Sequence, residues 1–136
     1  MSYLSLKQLV ITRLLELFTQ LNIVLPVKYP NQPLDASNLQ EYLTVDFIYG
    51  TETPISSSGF INESINILQI KWVIKQGVGE NAQLSQLEAI KAGLNKTFLN
   101  DEKNSIGAIG SSIHVFPFVH EYQLVLNVSF RKINQG

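Results

Sequence analysis

Apolar positions from Leu4 to Leu21 recur at helical spacing: Leu4, Leu6, Leu9, Val10, Ile11, Leu14, Leu15, Leu17, Phe18 and Leu21, against a polar stripe of Ser5, Gln8, Thr12, Glu16 and Thr19. This apolar arc is wider than one core-facing stripe requires, so the helix must be covered on more than one side. A domain this small usually has two layers, which makes a neighbouring subunit the expected second cover. Pro26, Pro30 and Pro33 exclude a continued helix and push Leu25, Tyr29 and Gln32 towards extended geometry, predicting a short edge strand or arm over Val24 to Tyr29.

The period then changes from helical to two. From Gln40 to Tyr49 the residues Leu43, Val45, Phe47 and Tyr49 share one face, and Tyr42, Thr44, Asp46 and Ile48 the other, as in a half-buried strand. Ile65 to Lys75 is the strongest strand, with Leu68, Ile70, Trp72 and Ile74 on one side. Between them lies Gly50 to Glu63, rich in Ser, Gly and Pro and longer than most strand connections, so a loop with a functional role is expected there. Its apolar residues Ile55, Phe60 and Ile61 read as a docking surface.

Gly77-Val78-Gly79 ends the long strand, and Asn81 is the expected N-cap of a second helix whose stripe is Leu84, Leu87, Ile90, Leu94 and Phe98. Asn100 to Ser112 reads as a polar connection. Two closing strands follow, Ile113 to Val119 and a second with Tyr122, Leu124, Leu126, Val128 and Phe130 on one face, with His120-Glu121 marking the turn. The order α-β-β-β-α-β-β, with a single helical crossover, predicts an α+β fold: a largely antiparallel or mixed sheet with two helices packed on one face. At 136 residues the chain forms one domain, residues 1–136.

Composition sharpens this only in part. Charged residues make up 15% of the chain, below the roughly 25% of an average domain, which points to a surface partly covered by partners. A net charge of −1 offers no field for a phosphate backbone, so nucleic-acid binding is not expected. There are no cysteines, which fits a reducing cytoplasm, and neither a membrane span nor a signal peptide is visible.

Catalytic signatures are also missing from the pattern. His114 and His120 lie six residues apart on a strand, about 20 Å, too far to share a metal, and read as surface residues. Gly77-Val78-Gly79 lacks the parallel βαβ setting of a dinucleotide site, and Gly107-Ala108-Ile109-Gly110 lacks the helices and basic surroundings of an RNA-binding loop. The carboxylates are scattered, Asp46 being the one expected to be partly buried, and no serine sits in a nucleophile elbow. The expectation is a non-enzyme without cofactor or metal.

Pro26-Val27-Lys28-Tyr29-Pro30-Asn31 after a leading helix, Tyr42-Leu43-Thr44-Val45, Leu68-Gln69-Ile70 with Gly77-Val78-Gly79, and the helix from Gln86 to Phe98 together resemble the tail terminator (minor tail protein U) family of long-tailed phages and prophages. The resemblance implies a structural protein of the virion tail, assembled in the host bacterial cytoplasm as a homo-oligomeric, hexameric ring on the head-proximal end of the tail tube. There it would end tube polymerisation and provide the surface for head-tail joining, with the tail tube protein and a head completion or connector protein as partners. A ring needs one patch to meet a different patch on its neighbour. The candidate assembly interface is Leu6, Val10 and Leu17 of the first helix with Ile55, Phe60 and Ile61 of the loop. The competing expectation is a monomeric α+β domain that binds a ligand or peptide.

Overall fold

The computed structural model describes residues 3–30, 32, 34–35, 38–55, 61–75, 80–101 and 103–135. Helix α1 (Tyr3–Gln20) leads into β1 (Val27–Lys28), β2 (Glu41–Ile48), β3 (Thr53–Pro54) and β4 (Ile61–Lys75). Helix α2 (Asn81–Leu94) then crosses to β5 (Thr97–Asn100), β6 (Asn104–Pro117) and β7 (Glu121–Gln135). The strands form one seven-stranded sheet in the order β1-β2-β4-β7-β6-β5, with β3 beside β4. Among the described residues only the β1–β2 pair is parallel, so the sheet is mixed and the fold is α+β, with the helices on one face as the sequence predicts.

Strand register sorts the side chains into two faces. Leu43, Trp72 and Leu124 form one cross-strand row, and Val45, Ile70, Leu126 and Ile113 the next. These rows meet Leu6, Val10, Leu14 and Leu17 of α1 and Leu87, Ile90 and Leu94 of α2 in one core. Helix α1 ends where Asn22 takes φ 55°. The Ile23 N–H donates to the Phe18 carbonyl at 2.9 Å and the Asn22 N–H to that of Thr19 at 3.2 Å, a Schellman arrangement that satisfies otherwise orphaned carbonyls.

The wide apolar arc of α1 is covered mainly within the chain. Leu6 and Val10 are fully buried and Leu17 nearly so, which removes these three from the surface and from the expected interface. The second cover is α2, which the sequence pattern does not announce as a neighbour of α1. Gly93 lets the helices approach: a Cβ there would lie 2.4 Å from a Leu17 methyl, and the Arg13 Nε–H donates to the Gly93 carbonyl at 3.2 Å.

Three local expectations are corrected. Helix α2 is N-capped by Glu80, with Asn81 its first residue, and it ends at Leu94. Phe98 lies on β5 and packs edge-on to Phe130 at 5.6 Å between ring centres, where its aromatic side chain suits a half-buried sheet. The stretch read as a polar connection is strand from Asn104 onward, because β7 is long enough to pair with small residues that have little strand preference of their own.

The β5–β6 turn is held by Asp101. Its Oδ1 accepts from the Lys103 and Asn104 N–H groups at 2.9 and 2.7 Å, and these bonds hold the carboxyl below its ordinary pKa. A carboxyl depressed in the folded state stabilises above its unfolded pKa and loses that contribution as pH falls through the folded value. Acidification below the ordinary carboxylate range is therefore expected to loosen this turn, read as shifts of the Lys103 and Asn104 amides in an NMR titration. Amides that stay fixed while Asp101 protonates would refute that role.

Candidate interaction surface

The face of the sheet away from the helices has no element packed on it among the described residues. Its rows run Tyr42-Val73-Gln123-Phe116, Thr44-Lys71-Val125-His114, Asp46-Gln69-Asn127-Ser112 and Ile48-Ile67-Ser129-Gly110. Even here Val73 and Val125 are buried, shielded by the longer side chains around them. The Gln69 Nε2–H donates to Asn127 Oδ1 at 3.0 Å, Lys75 pairs with Glu121 at 3.7 Å, and Arg131 pairs with Glu63. Polar and ionic links thus tie the middle strands together on the open face.

Two shallow hollows lie on this surface. One of about 310 Å³ is lined by Gln69, Lys71, His114, Phe116 and Gln123. The other, about 350 Å³, adds Lys28 and Tyr29 of the arm to Thr44, Asp46 and Lys71. Burial pushes the Tyr29 phenol above its ordinary pKa. Asp46, expected to be partly buried, is exposed, because it sits on the face that no helix covers. His114 and His120 are both exposed, the first on this face and the second in the β6–β7 turn. Among the described residues no three histidines, cysteines or carboxylates stand close enough to hold a metal ion.

Exposed apolar side chains concentrate at two ends of the sheet. Ile48, Tyr49, Ile55 and Ile65 lie where β2 passes into β3, while Val115, Phe116, Phe118 and Val119 crowd the β6–β7 hairpin. The register sets these groups about 30 Å apart along the strands. Of the expected interface residues, Ile55 is exposed at 47% and Ile61 is half-buried, and the Ile55 N–H donates to the Ile61 carbonyl at 2.9 Å. Phe60 lies outside the described residues, as do Gly77, Val78 and Gly79. The hairpin group was missed from the sequence, although Val115-Phe116-Pro117-Phe118-Val119, five uncharged residues beside a turn, is a legible signal.

The start of the Gly50 to Glu63 segment is also more structured than its composition predicts. Strand β3 pairs Thr53 with Glu63 and Pro54 with Asn62. Before it, the Gly50 N–H donates to Asn66 Oδ1 at 2.9 Å, and Glu52 accepts from Lys132 Nζ at 3.2 Å. Asn66 in turn donates to Ser64 Oγ at 3.0 Å, so the buried polar residues Ser64, Asn66 and Lys132 form the anchor of this segment.

No protein-family model matches the sequence, and no curated protein matches it. A solved structure whose name describes no activity is similar in fold, with a TM-score of 0.73 over 97% of this chain and 96% of its own, at 13% identity. At that identity the similarity is one of architecture.

Proposed function

We propose that this chain is a structural component of a phage tail, a tail terminator that closes the head-proximal end of the tail tube as a hexameric ring. The observation that carries the reading is the pair of separate apolar patches, Ile48 with Ile55 and Ile65 at one end and Val115 to Val119 at the other. A closed ring joins one patch to a different patch on the next copy, and two unlike patches on one protomer meet that requirement. The element order that the family resemblance implies, with both helices on one side of the sheet, supports it further. In this reading the partners are further copies of the chain, the tail tube protein and a head completion or connector protein, and the chain acts by assembly with no catalytic step.

Electron microscopy of the purified protein, alone and with polymerised tail tubes, tests the reading. Rings with a central hole, or tubes capped at one end, are the expected result. Ile48→Asp with Ile55→Asp should abolish them while leaving the thermal midpoint unchanged, because both side chains are exposed. A protein that neither forms rings nor arrests tube growth would overturn the proposal.

A further inference from the structure

Among the described residues, the outer edge of β6 carries a row of backbone hydrogen-bonding groups with no strand beside it. Strand β5 pairs only with Ser105, Ile106 and Gly107, and the Ala108 N–H still reaches the Lys96 carbonyl at 3.0 Å. Beyond the irregularity between Ala108 and Gly110, β6 pairs with β7 alone among the described residues. The Phe118 N–H donates to the Glu121 carbonyl at 2.8 Å, and antiparallel bonding alternates from there. The even residues Gly110, Ser112, His114 and Phe116 therefore bond inward to β7, and the odd residues Ser111, Ile113, Val115 and Pro117 point outward.

Natural sheets protect such edges with charge, bulges or proline. No Asp, Glu, Lys or Arg occurs from Asn104 to His120, so this edge lacks charge protection. Pro117 occupies an outward position, where its missing N–H interrupts no bond to β7 and ends the usable edge. The open stretch is thus bounded by the end of β5 on one side and by Pro117 on the other.

We propose that this edge pairs with the same edge of a second copy, antiparallel across a two-fold axis at Ile113. This docking differs from the ring in symmetry, because a two-fold contact closes on itself and cannot propagate, and because it covers Val115 and Phe116 it excludes ring closure through that hairpin while it lasts. The centred register is self-complementary. Ile113 meets its own counterpart, Ser111 meets Val115 in both directions, and each facing pair exchanges both of its backbone bonds. Pro117 of each copy then falls opposite Ile109 of the other, at the boundary of β5, so the paired stretch fills the open edge.

Side-chain shape agrees on both faces of the sheet. On the open face, Phe116 falls opposite Gly110 of the other copy, and nothing lies within 4 Å of a Cβ at that glycine. An aromatic ring laid over a glycine across a strand pair is a stabilising match. On the helix face, Val115 falls opposite Ser111, which borders a groove of about 230 Å³ lined by Glu88, Lys91 and Ala92 of α2 and by its C-cap Asn95. Val115, 41% exposed in one copy, would enter that groove in the other.

The chain has no cysteine, so a single Ile113→Cys reports on the axis without background. Sedimentation of the wild-type protein should give a concentration-dependent dimer, and mild oxidation of the Ile113→Cys variant should trap it as a disulfide-linked pair. Leu15→Cys, exposed on α1, should not cross-link. Val115→Lys places charge on the edge and Gly110→Val fills the slot for Phe116, so each should weaken the dimer at least tenfold with an unchanged circular dichroism spectrum. A protein that stays monomeric at every concentration overturns the proposal. So does a dimer that ignores both edge variants, which would assign self-association to another surface. Gly110 lies outside both ring patches, so rings that persist in Gly110→Val while the dimer is lost support the edge and leave the tail reading standing, and the two proposals fail separately.

Discussion

Gly50→Ala is expected to cost more than about 3 kcal/mol, above the usual range for an overpacked site. A Cβ at Gly50 would lie 1.9 Å from the Ile65 carbonyl oxygen and 2.9 Å from its carbon, and both atoms belong to backbone. That backbone cannot retreat, because β4 is paired to β7 along its full length, opposite Arg131 at Ile65 itself. Nor can Gly50 move away freely, since its N–H is bonded to the buried side chain of Asn66. Gly110→Ala is the control, with nothing within 4 Å of the added carbon. Urea denaturation of both variants checks the contrast. A Gly50→Ala midpoint equal to wild type would mean that the chain between β2 and β3 repositions without penalty.

The elements most legible in the sequence are those whose own residues alternate or repeat under one-sided burial. Leu68, Ile70 and Trp72 read as a strand face and are one, and Leu87, Ile90 and Leu94 read as a helix stripe and are buried together. What stayed hidden depends on long-range partners. Gly107 and Gly110 look like turn residues until β7 is present to pair with them, and the second cover of α1 depends on a close approach at Gly93 of α2. The expected interface divided in the same way. Ile55 is exposed, whereas Leu6, Val10 and Leu17 are taken into the core by a packing that no local pattern specifies.

The buried polar anchor was legible in principle. Asn66 continues the phase of Leu68 and Ile70, and Lys132 continues that of Val128 and Phe130, so both polar residues stand at core-facing positions. Period-two reading carried to the strand ends would have marked them as buried groups in need of partners. The partners come from the segment between β2 and β3, which looks like a loop by composition, and this is why that segment is fixed at its start.

Glu52→Ala tests that anchor through its charge. The Lys132 side chain is only 2% exposed and its ammonium meets Glu52 Oε1 at 3.2 Å, while the glutamate side chain is 38% exposed. Removing the carboxylate takes the Glu52 charge away from a buried ammonium, and fully buried pairs broken this way lose about 3–5 kcal/mol. Partial exposure of Glu52 screens the pair, which brings the expected loss to roughly 2–3 kcal/mol. Asn134 Nδ2 also donates to Glu52 Oε1, at 3.3 Å, and loses that acceptor as well. Lys132→Met should be milder, because it removes the buried charge and retains much of the apolar stem that packs beneath it. In the double variant, Glu52→Ala should then add little to the cost of Lys132→Met. Urea midpoints for the four proteins measure this coupling. Independent, additive losses would show that Glu52 and Lys132 act separately and that the segment is held by the Gly50–Asn66 bond and the β3–β4 pairing instead.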